Sequence, residues 1–278
     1  MKLFMGLKNT FLLLAFSATC LVACSQRQLD TTAAARNEAQ DSSPEISPTP
    51  EMDLKFGQGL SIVHQEINLK SEKLRYEIHV TYPQIEGRKS PRISTLNRQI
   101  KRLVSDHYRW PLHPTAKDLS YYREKHPDIF NTIDLSYETL FATDKLLSIY
   151  FEGFSYGIGA AHSVQYSFTV NYDLKSEKLL RLADIFKPDV NYLQFVSQYC
   201  TNDLARQHGT RAKYFFTAAL EPKVKNYQSW NVTKEGIRIN FDACSALGCS
   251  DGKQSVTIPF AEMKEMLNEK SQEILTMN

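Results

Sequence analysis

Hydrophobic and polar residues alternate most cleanly in two stretches. Leu74, Tyr76, Ile78, Val80 and Tyr82 are separated by Arg75, Glu77, His79 and Thr81, and Val164, Tyr166, Phe168, Val170 and Tyr172 repeat the pattern. A period of two puts successive side chains on opposite faces, so each stretch predicts a strand with one buried face. Leu60–Leu69 predicts a partner for the first, joined through Lys70–Lys73 as a hairpin. Ser90-Pro91 then supplies an N-cap and a first-turn proline. Ile93, Leu96, Ile100, Leu103, Val104 and His107 follow at helical spacing, predicting a helix that covers the sheet.

Trp110–Pro127 is rich in Pro, His and Tyr and reads as irregular loop. Strands are expected at Thr132–Phe141 and Leu146–Phe154, followed by the Gly-rich segment Gly153–His162 and the long alternating strand that turns at Lys175–Lys178. Val190–Gln207 reads as a helix after Pro188, Tyr214–Leu220 as a shorter one, and Gly236–Phe241 and Ser255–Pro259 as strands. Phe260–Leu275 reads as a closing helix with Phe260, Met263, Leu267 and Ile274 inward. Strands and helices interleave, yet several links are hairpins, which predicts an α+β fold of antiparallel sheets covered by helices. The hexamer Leu-Lys-Ser-Glu-Lys-Leu occurs at Leu69–Leu74 and again at Leu174–Leu179. Duplication of a hairpin-plus-helix unit and independent use of a suitable polar turn both account for it; the unlike flanks favour the turn.

The N-terminus follows a different pattern. Lys2 and Lys8 precede an apolar run, Phe11–Ala23, that ends in Leu21-Val22-Ala23-Cys24, the form of a secretory leader closing on a lipid-attachment box. Residues 1–23 are expected to be removed and Cys24 to carry a diacylglyceryl group with an N-acyl chain such as palmitate. Lys8 interrupts the run short of the roughly 18 apolar residues a spanning helix needs. Ser25 rather than Asp follows the lipid site, so residence on the periplasmic side of the outer membrane is expected in a host with two membranes. Residues 24–55 hold no Phe, Tyr or Trp and carry Ser42-Ser43-Pro44 and Ser47-Pro48-Thr49-Pro50, the composition of a tether with a span on the order of 30 Å. The folded part is then expected in residues 56–155 and 156–278, together one compact unit.

Charge narrows the function. Lys2 and Lys8 are two of 33 basic residues, so 31 remain against 31 acidic ones. Nucleic-acid binding is not expected from such a balance, nor is polybasic membrane attachment. Of the cysteines outside the leader and lipid site, Cys244 and Cys249 are the expected disulfide in an oxidising compartment, since four residues including Gly248 separate them; Cys200 is left as a buried thiol. No metal site or cofactor is expected.

Candidate chemistry is sparse. His162 lies between a Gly-rich turn and a strand, with Ser155, Tyr156 and Ser163 near it. It could act as a general base on Ser163 or contact a ligand; the alternative is a turn shaped by Gly157 and Gly159 with the imidazole satisfying a carbonyl. His107, His113 and His126 are expected at the surface, because their spacing through a Pro-rich loop does not specify metal geometry. Trp110, Tyr121 and Tyr122 make that loop aromatic as well as polar, as in a recognition surface, or else they plug the open end of the core. Glu152, Asp242 and Asp251 are available acids without a specified partner.

Gly159-Ala160-Ala161-His162, then Tyr166–Lys175 and Leu182-Ala183-Asp184-Ile185-Phe186, resemble the extracytoplasmic domain family of unknown function found in the lysozyme-sensing anti-sigma factor RsiV, related modules of which accompany some peptidoglycan deacetylases. Gly236–Phe241 and Val256–Phe260 resemble its last two strands, so the likeness spans roughly Leu60–Leu275. The resemblance implies a compact α+β domain that binds rather than catalyses, the deacetylase metal site belonging to a different domain. It implies no sigma-factor control here, since the sigma-binding segment and spanning helix are lacking, and Cys244–Gly252 replaces the usual loop before the final strand. The expectation is a lipid-anchored, non-enzymatic envelope protein that binds a lysozyme-like protein or a peptidoglycan fragment, with Trp110, Tyr121, Tyr122, Tyr156 and His162 as contact residues. A hydrolase using His162 and a structural subunit of an envelope complex are the rival readings.

Overall fold

The alternating stretches become the third and sixth strands of a seven-stranded sheet. A computed structural model describes residues 54–56, 59–87, 90–109, 120, 124–126, 128–209 and 217–275. The expected leader, Cys24 and tether, and the loop residues Trp110, His113, Tyr121 and Tyr122, lie outside the described residues. The strands run in sequence order across the sheet: β1 (Leu54–Phe56), β2 (Leu60–Ser71), β3 (Tyr76–Glu86), β4 (Asn131–Ala142), β5 (Leu146–Tyr156), β6 (Val164–Asp173) and β7 (Lys178–Leu179). The sheet continues through β5 and β6, across the expected division at residues 155 and 156.

All neighbours pair antiparallel except β3 and β4, which are parallel, with Ile78 beside Ile133 and Val80 beside Leu135. The expected antiparallel-rich α+β sheet is present, and its one parallel pair arises because helix α1 (Pro91–Tyr108) carries the chain back over the sheet before β4 begins, and a crossover joins strands that run the same way. The start of α1 follows the sequence: Ser90 accepts a hydrogen bond from the Arg92 amide at 3.2 Å, and Pro91 opens the first turn. Leu96, Ile100 and Val104 project from it into a core with Ile78, Val80, Ile133, Leu135, Ile149 and Phe151. His107 closes that face and is not the expected surface histidine. Its ring lies flat on Phe168, centroids 4.0 Å apart, and burial lowers its pKa, favouring the neutral form. Tyr166 flanks this stack and rests on Gly153, where a Cβ would come within 2.3 Å of the phenol ring.

The opposite face of the sheet carries a second layer. A three-stranded sheet, in the order β10 (Gln254–Pro259), β9 (Gly236–Phe241), β8 (Trp230–Val232), packs there with α2 (Tyr192–His208) and three short helices, α3 (Thr217–Leu220), α4 (Phe260–Met263) and α5 (Glu269–Leu275). A bulge in β4 between Thr139 and Phe141 switches which side the following residue faces, delivering Phe141 to this second core. β5 is therefore covered on both sides, which explains its nearly unbroken apolar run.

A buried polar seam joins the layers. Ser148 Oγ donates to Asn171 Oδ1 at 2.6 Å and accepts from Asn231 Nδ2 and the Val232 amide, each at 3.0 Å. Asn171 Nδ2 donates to the Trp230 carbonyl at 2.7 Å, and Asn240 Nδ2 donates to Asn231 Oδ1 at 3.0 Å. All four side chains are buried.

The expected closing helix is broken. α4 ends at Met263, a turn of 3-10 helix follows, and Leu267 is extended, bridging to Phe186. Asn268 is responsible: its side chain donates to the Asp184 and Phe186 carbonyls while its Oδ1 caps Ser271 at the start of α5. Lys270 of α5 then pairs with the fully buried Asp173 at 2.5 Å. Burial pushes the Asp173 carboxyl up, but hydrogen bonds from Lys270 and Ser176 outweigh it and hold its pKa below the ordinary value.

The repeated hexamer serves two turns of one type in different registers. Arg75 N bonds Ser71 O, and Glu177 N bonds Asp173 O, each at 2.7 Å, with Arg75 and Glu177 both at positive φ. The left-handed residue thus follows the first hexamer but lies inside the second, which is the independent reuse of a turn and not a duplicated unit.

Ser148→Ala leaves an acceptor and two donors of the seam unsatisfied, and a loss of about 2–4 kcal/mol in urea unfolding is expected. For Asp173→Asn a loss of about 2 kcal/mol is expected at neutral pH. With the folded pKa depressed, the Asp173 contribution is complete above the unfolded value near pH 4 and vanishes as pH falls through the folded value, so variant and parent should converge in strong acid.

Candidate functional site

The seam leaves a cleft at its edge, where β9 and β10 approach the outer part of β4 and β5. Its volume is about 230 Å³, and its walls include Ser136, Tyr150, Glu152, Arg238, Asn240 and Lys253. Register places Glu152 beside Ser136, and Tyr150 beside Glu138, on the face that receives the small sheet. β9 contributes Arg238 and Asn240, two residues apart and so on one side of the strand.

The electrostatics are uneven. Lys253 Nζ bonds Glu152 at 2.6 Å, and Glu152 also accepts from Gln165 at 2.5 Å. The Arg238 guanidinium lies 4.8 Å above the Tyr150 ring, and Lys253 lies 5.6 Å from the same ring. Burial, with the Glu152 charge second, pushes the Tyr150 phenol up to about 12, against the pull of Ser167 and Arg238, so it stays protonated at physiological pH. Beyond Asn240 a second cleft of about 400 Å³ holds Ser167 and Asp242. Ser167 Oγ donates to Asp242 Oδ1 at 2.6 Å and lies 3.3 Å from Ser229 Oγ, tying β6 to both ends of the β8–β9 hairpin. Burial raises the Asp242 pKa, the Ser167 bonds opposing it.

The disulfide is present: Cys244 is bonded to Cys249, and Cys200 is a free, buried thiol. Ala246 and Leu247, inside the disulfide loop, are buried, and the chain leaves that loop directly into Lys253 and Gln254. The clip therefore fixes one wall of the cleft.

His162 lies elsewhere, exposed in the turn between β5 and β6, where its Nδ1 is 2.9 Å from the Ser163 carbonyl. Among the described residues no carboxylate is hydrogen-bonded to it. Tyr156 ends β5, half-buried, opposite Thr132. Sequence adjacency thus brings Tyr156 and His162 to one end of the sheet without assembling a nucleophile, base and orienting acid. His126 is exposed, and its carbonyl accepts from Arg75. Among the described residues, no group of three or more His, Cys, Asp or Glu side chains is placed to hold a metal ion.

The sequence reading missed Arg238, treating Gly236–Phe241 only as a strand. A signal was available: an arginine between Ile237 and Ile239 in a strand with both faces covered must either be paired or face a cavity.

Residues 183–261 match DUF3298, a family described as proteins of unknown function. The DUF3298 segment contains α2, β8, β9 and β10, hence Arg238, Asn240, Asp242 and the disulfide; the β4 and β5 walls of the cleft precede it. A DUF3298 member from Bacteroides fragilis NCTC 9343 superposes with a TM-score of 0.56 at 17% identity, over 77% of this chain and 96% of that one. One from Pseudomonas aeruginosa PAO1 gives 0.52 at 16%, over 76% and 95%. These likenesses establish the fold, a mixed α+β architecture rich in antiparallel sheet. The chain is also 24% identical over 192 residues to the peptidoglycan-N-acetylmuramic acid deacetylase PdaC of Bacillus subtilis strain 168. That match covers 69% of this chain and 39% of the relative, so the chain spans about two fifths of its length.

Removing the clip with Cys244→Ser is expected to cost about 2 kcal/mol, as for any short closed loop, read as a lower urea midpoint that reductant reproduces in the parent. His162→Ala should leave that midpoint within about 0.5 kcal/mol of the parent, because the side chain is exposed.

Proposed function

We propose that this chain is a cell-envelope protein, anchored by lipid at Cys24, whose cleft between the two sheets binds a saccharide-containing fragment of the cell wall without transforming it. The observation that carries this reading is the lining of the cleft. Ser136, Asn240, Gln254 and Ser255 supply hydroxyl and amide groups around Arg238 and the Lys253–Glu152 pair, the donor and acceptor mixture that a hydroxyl- and amide-rich sugar requires. The partial likeness to a peptidoglycan deacetylase supports an envelope setting. The leader and box at Leu21–Cys24 support extracytoplasmic residence, and the disulfide agrees with an oxidising compartment.

Binding rather than turnover is favoured by the contacts of the two candidate hydroxyl groups. Ser167 is held between Asp242 and Ser229, and the imidazole nearest Ser163 in sequence is engaged with the Ser163 backbone. A tethered domain of this kind gains effective concentration near the wall from its anchor alone.

The full chain, extracted in detergent, is expected to co-sediment with purified peptidoglycan sacculi, and its N-terminal peptide to carry acyl mass on Cys24. Failure to sediment with sacculi would reject the binding reading, and capture of a muramidase in place of the wall polymer would replace it. An unmodified Cys24 would reject the anchor.

A further inference from the structure

Arg238 differs from the other well-placed arginines of the fold. Arg75 donates to the His126 and Ile129 carbonyls, Arg181 pairs with Asp184, Arg206 with Asp203 and Arg92 with Glu177. Arg238 has no hydrogen-bond or carboxylate partner among the described residues, and its Nε is shielded from solvent with no acceptor. The neighbouring cation is already answered, since Lys253 is bonded to Glu152. The Tyr150 ring beneath the guanidinium offsets part of the desolvation, but a π-face supplies no in-plane acceptor for the N–H groups. A guanidinium held this way, in the wall of a cleft, lacks one thing: a planar anion.

We infer that Arg238 is the carboxylate receptor of this cleft, and that the group it takes is a carboxylate of a muramic-acid-containing wall fragment. The inference rests on the wall-binding reading above and adds the chemical group recognised. Geometry selects carboxylate, because the guanidinium fork matches two coplanar oxygens. Charge selects a single anion: with Lys253 paired to Glu152, Arg238 is the one cation left over among the lining residues, and the exposed Glu138 disfavours a polyanion such as a polyphosphate chain. Size agrees, since a cleft of about 230 Å³ falls below the roughly 300–1,000 Å³ of sites that enclose a drug-sized ligand, so it holds one end of a larger molecule. Ser136, Asn240 and Ser255 then stand where they can meet the hydroxyl and acetamido groups beside that carboxylate.

Calorimetric titration of the full chain in detergent tests this with four probes: N-acetylmuramic acid, its methyl ester, N-acetylglucosamine and muramyl dipeptide. N-acetylmuramic acid is expected to bind at least about tenfold tighter than its ester or N-acetylglucosamine, and Arg238→Met to abolish that preference while Arg238→Lys retains part of it. Muramyl dipeptide moves the carboxylate from the lactyl arm to the peptide, so its affinity identifies which source the cleft prefers. Equal binding of acid and ester, or a preference that survives Arg238→Met, overturns the inference while leaving wall binding intact. Absence of binding by any of the four, in a chain that also fails to sediment with sacculi, overturns both. The ester comparison needs no substitution, so the inference stays testable if Arg238→Met does not fold.

Discussion

The small sheet is held against the large one by a polar seam that excludes water. Ser148, Asn171, Asn231 and Asn240 come from β5, β6, β8 and β9, and each is satisfied only if all four strands are in register. Apolar packing alone would let two sheets slide by a fraction of a residue at little cost. A buried amide that loses its partner pays a desolvation penalty of about 1–3 kcal/mol, so the seam turns a slippery contact into a specified one. The apolar clusters on either side supply the adhesion; the seam supplies the alignment.

The cleft inherits its geometry from that alignment. Asn240, the last residue of the seam, is also a wall of the cleft, and Arg238 lies two positions before it on the same side of β9. Any shift that kept Asn240 from Asn231 would also lift the guanidinium from Tyr150. On the far wall the Cys244–Cys249 clip and the buried Ala246 and Leu247 fix where Lys253 emerges, and Lys253 in turn neutralises Glu152. The result is a site in which Lys253 and Glu152 are paired in advance and Arg238 is not, with Arg238 carried on a strand rather than on a loop, which is the condition for selective binding with little reorganisation.

Much of the fold could be read from the sequence because its local signals are strong. The alternation in β3 and β6, the Ser90-Pro91 start of α1 and the polar turns expected at Lys70–Lys73 and Lys175–Lys178, which fall at Glu72–Arg75 and Leu174–Glu177, each mark one element without help from the rest. The failures lie where distant residues decide. Nothing local in Thr132–Leu135 says that it pairs parallel to β3, β8 is too short to show a period, and the break at Leu267 depends on Asn268 finding the Asp184 and Phe186 carbonyls. The candidate site fared worse for the same reason. His162, Ser163 and Tyr156 are neighbours in sequence and attract notice, yet the imidazole turns to the Ser163 carbonyl. Arg238 and Tyr150 are far apart in sequence, and an unpaired guanidinium is a property of the assembled sheets, not of any stretch of chain.

A crystal structure of the full chain bound to N-acetylmuramic acid tests the central claim most directly, namely that the seam builds a cleft whose unpaired guanidinium receives a wall carboxylate. The account predicts the ligand between β5 and β9, with its carboxylate forked on Arg238 and its sugar against Ser136, Asn240 and Ser255. A ligand seated at the β5–β6 turn beside His162, or in the Ser167–Asp242 cleft with Arg238 untouched, would contradict it.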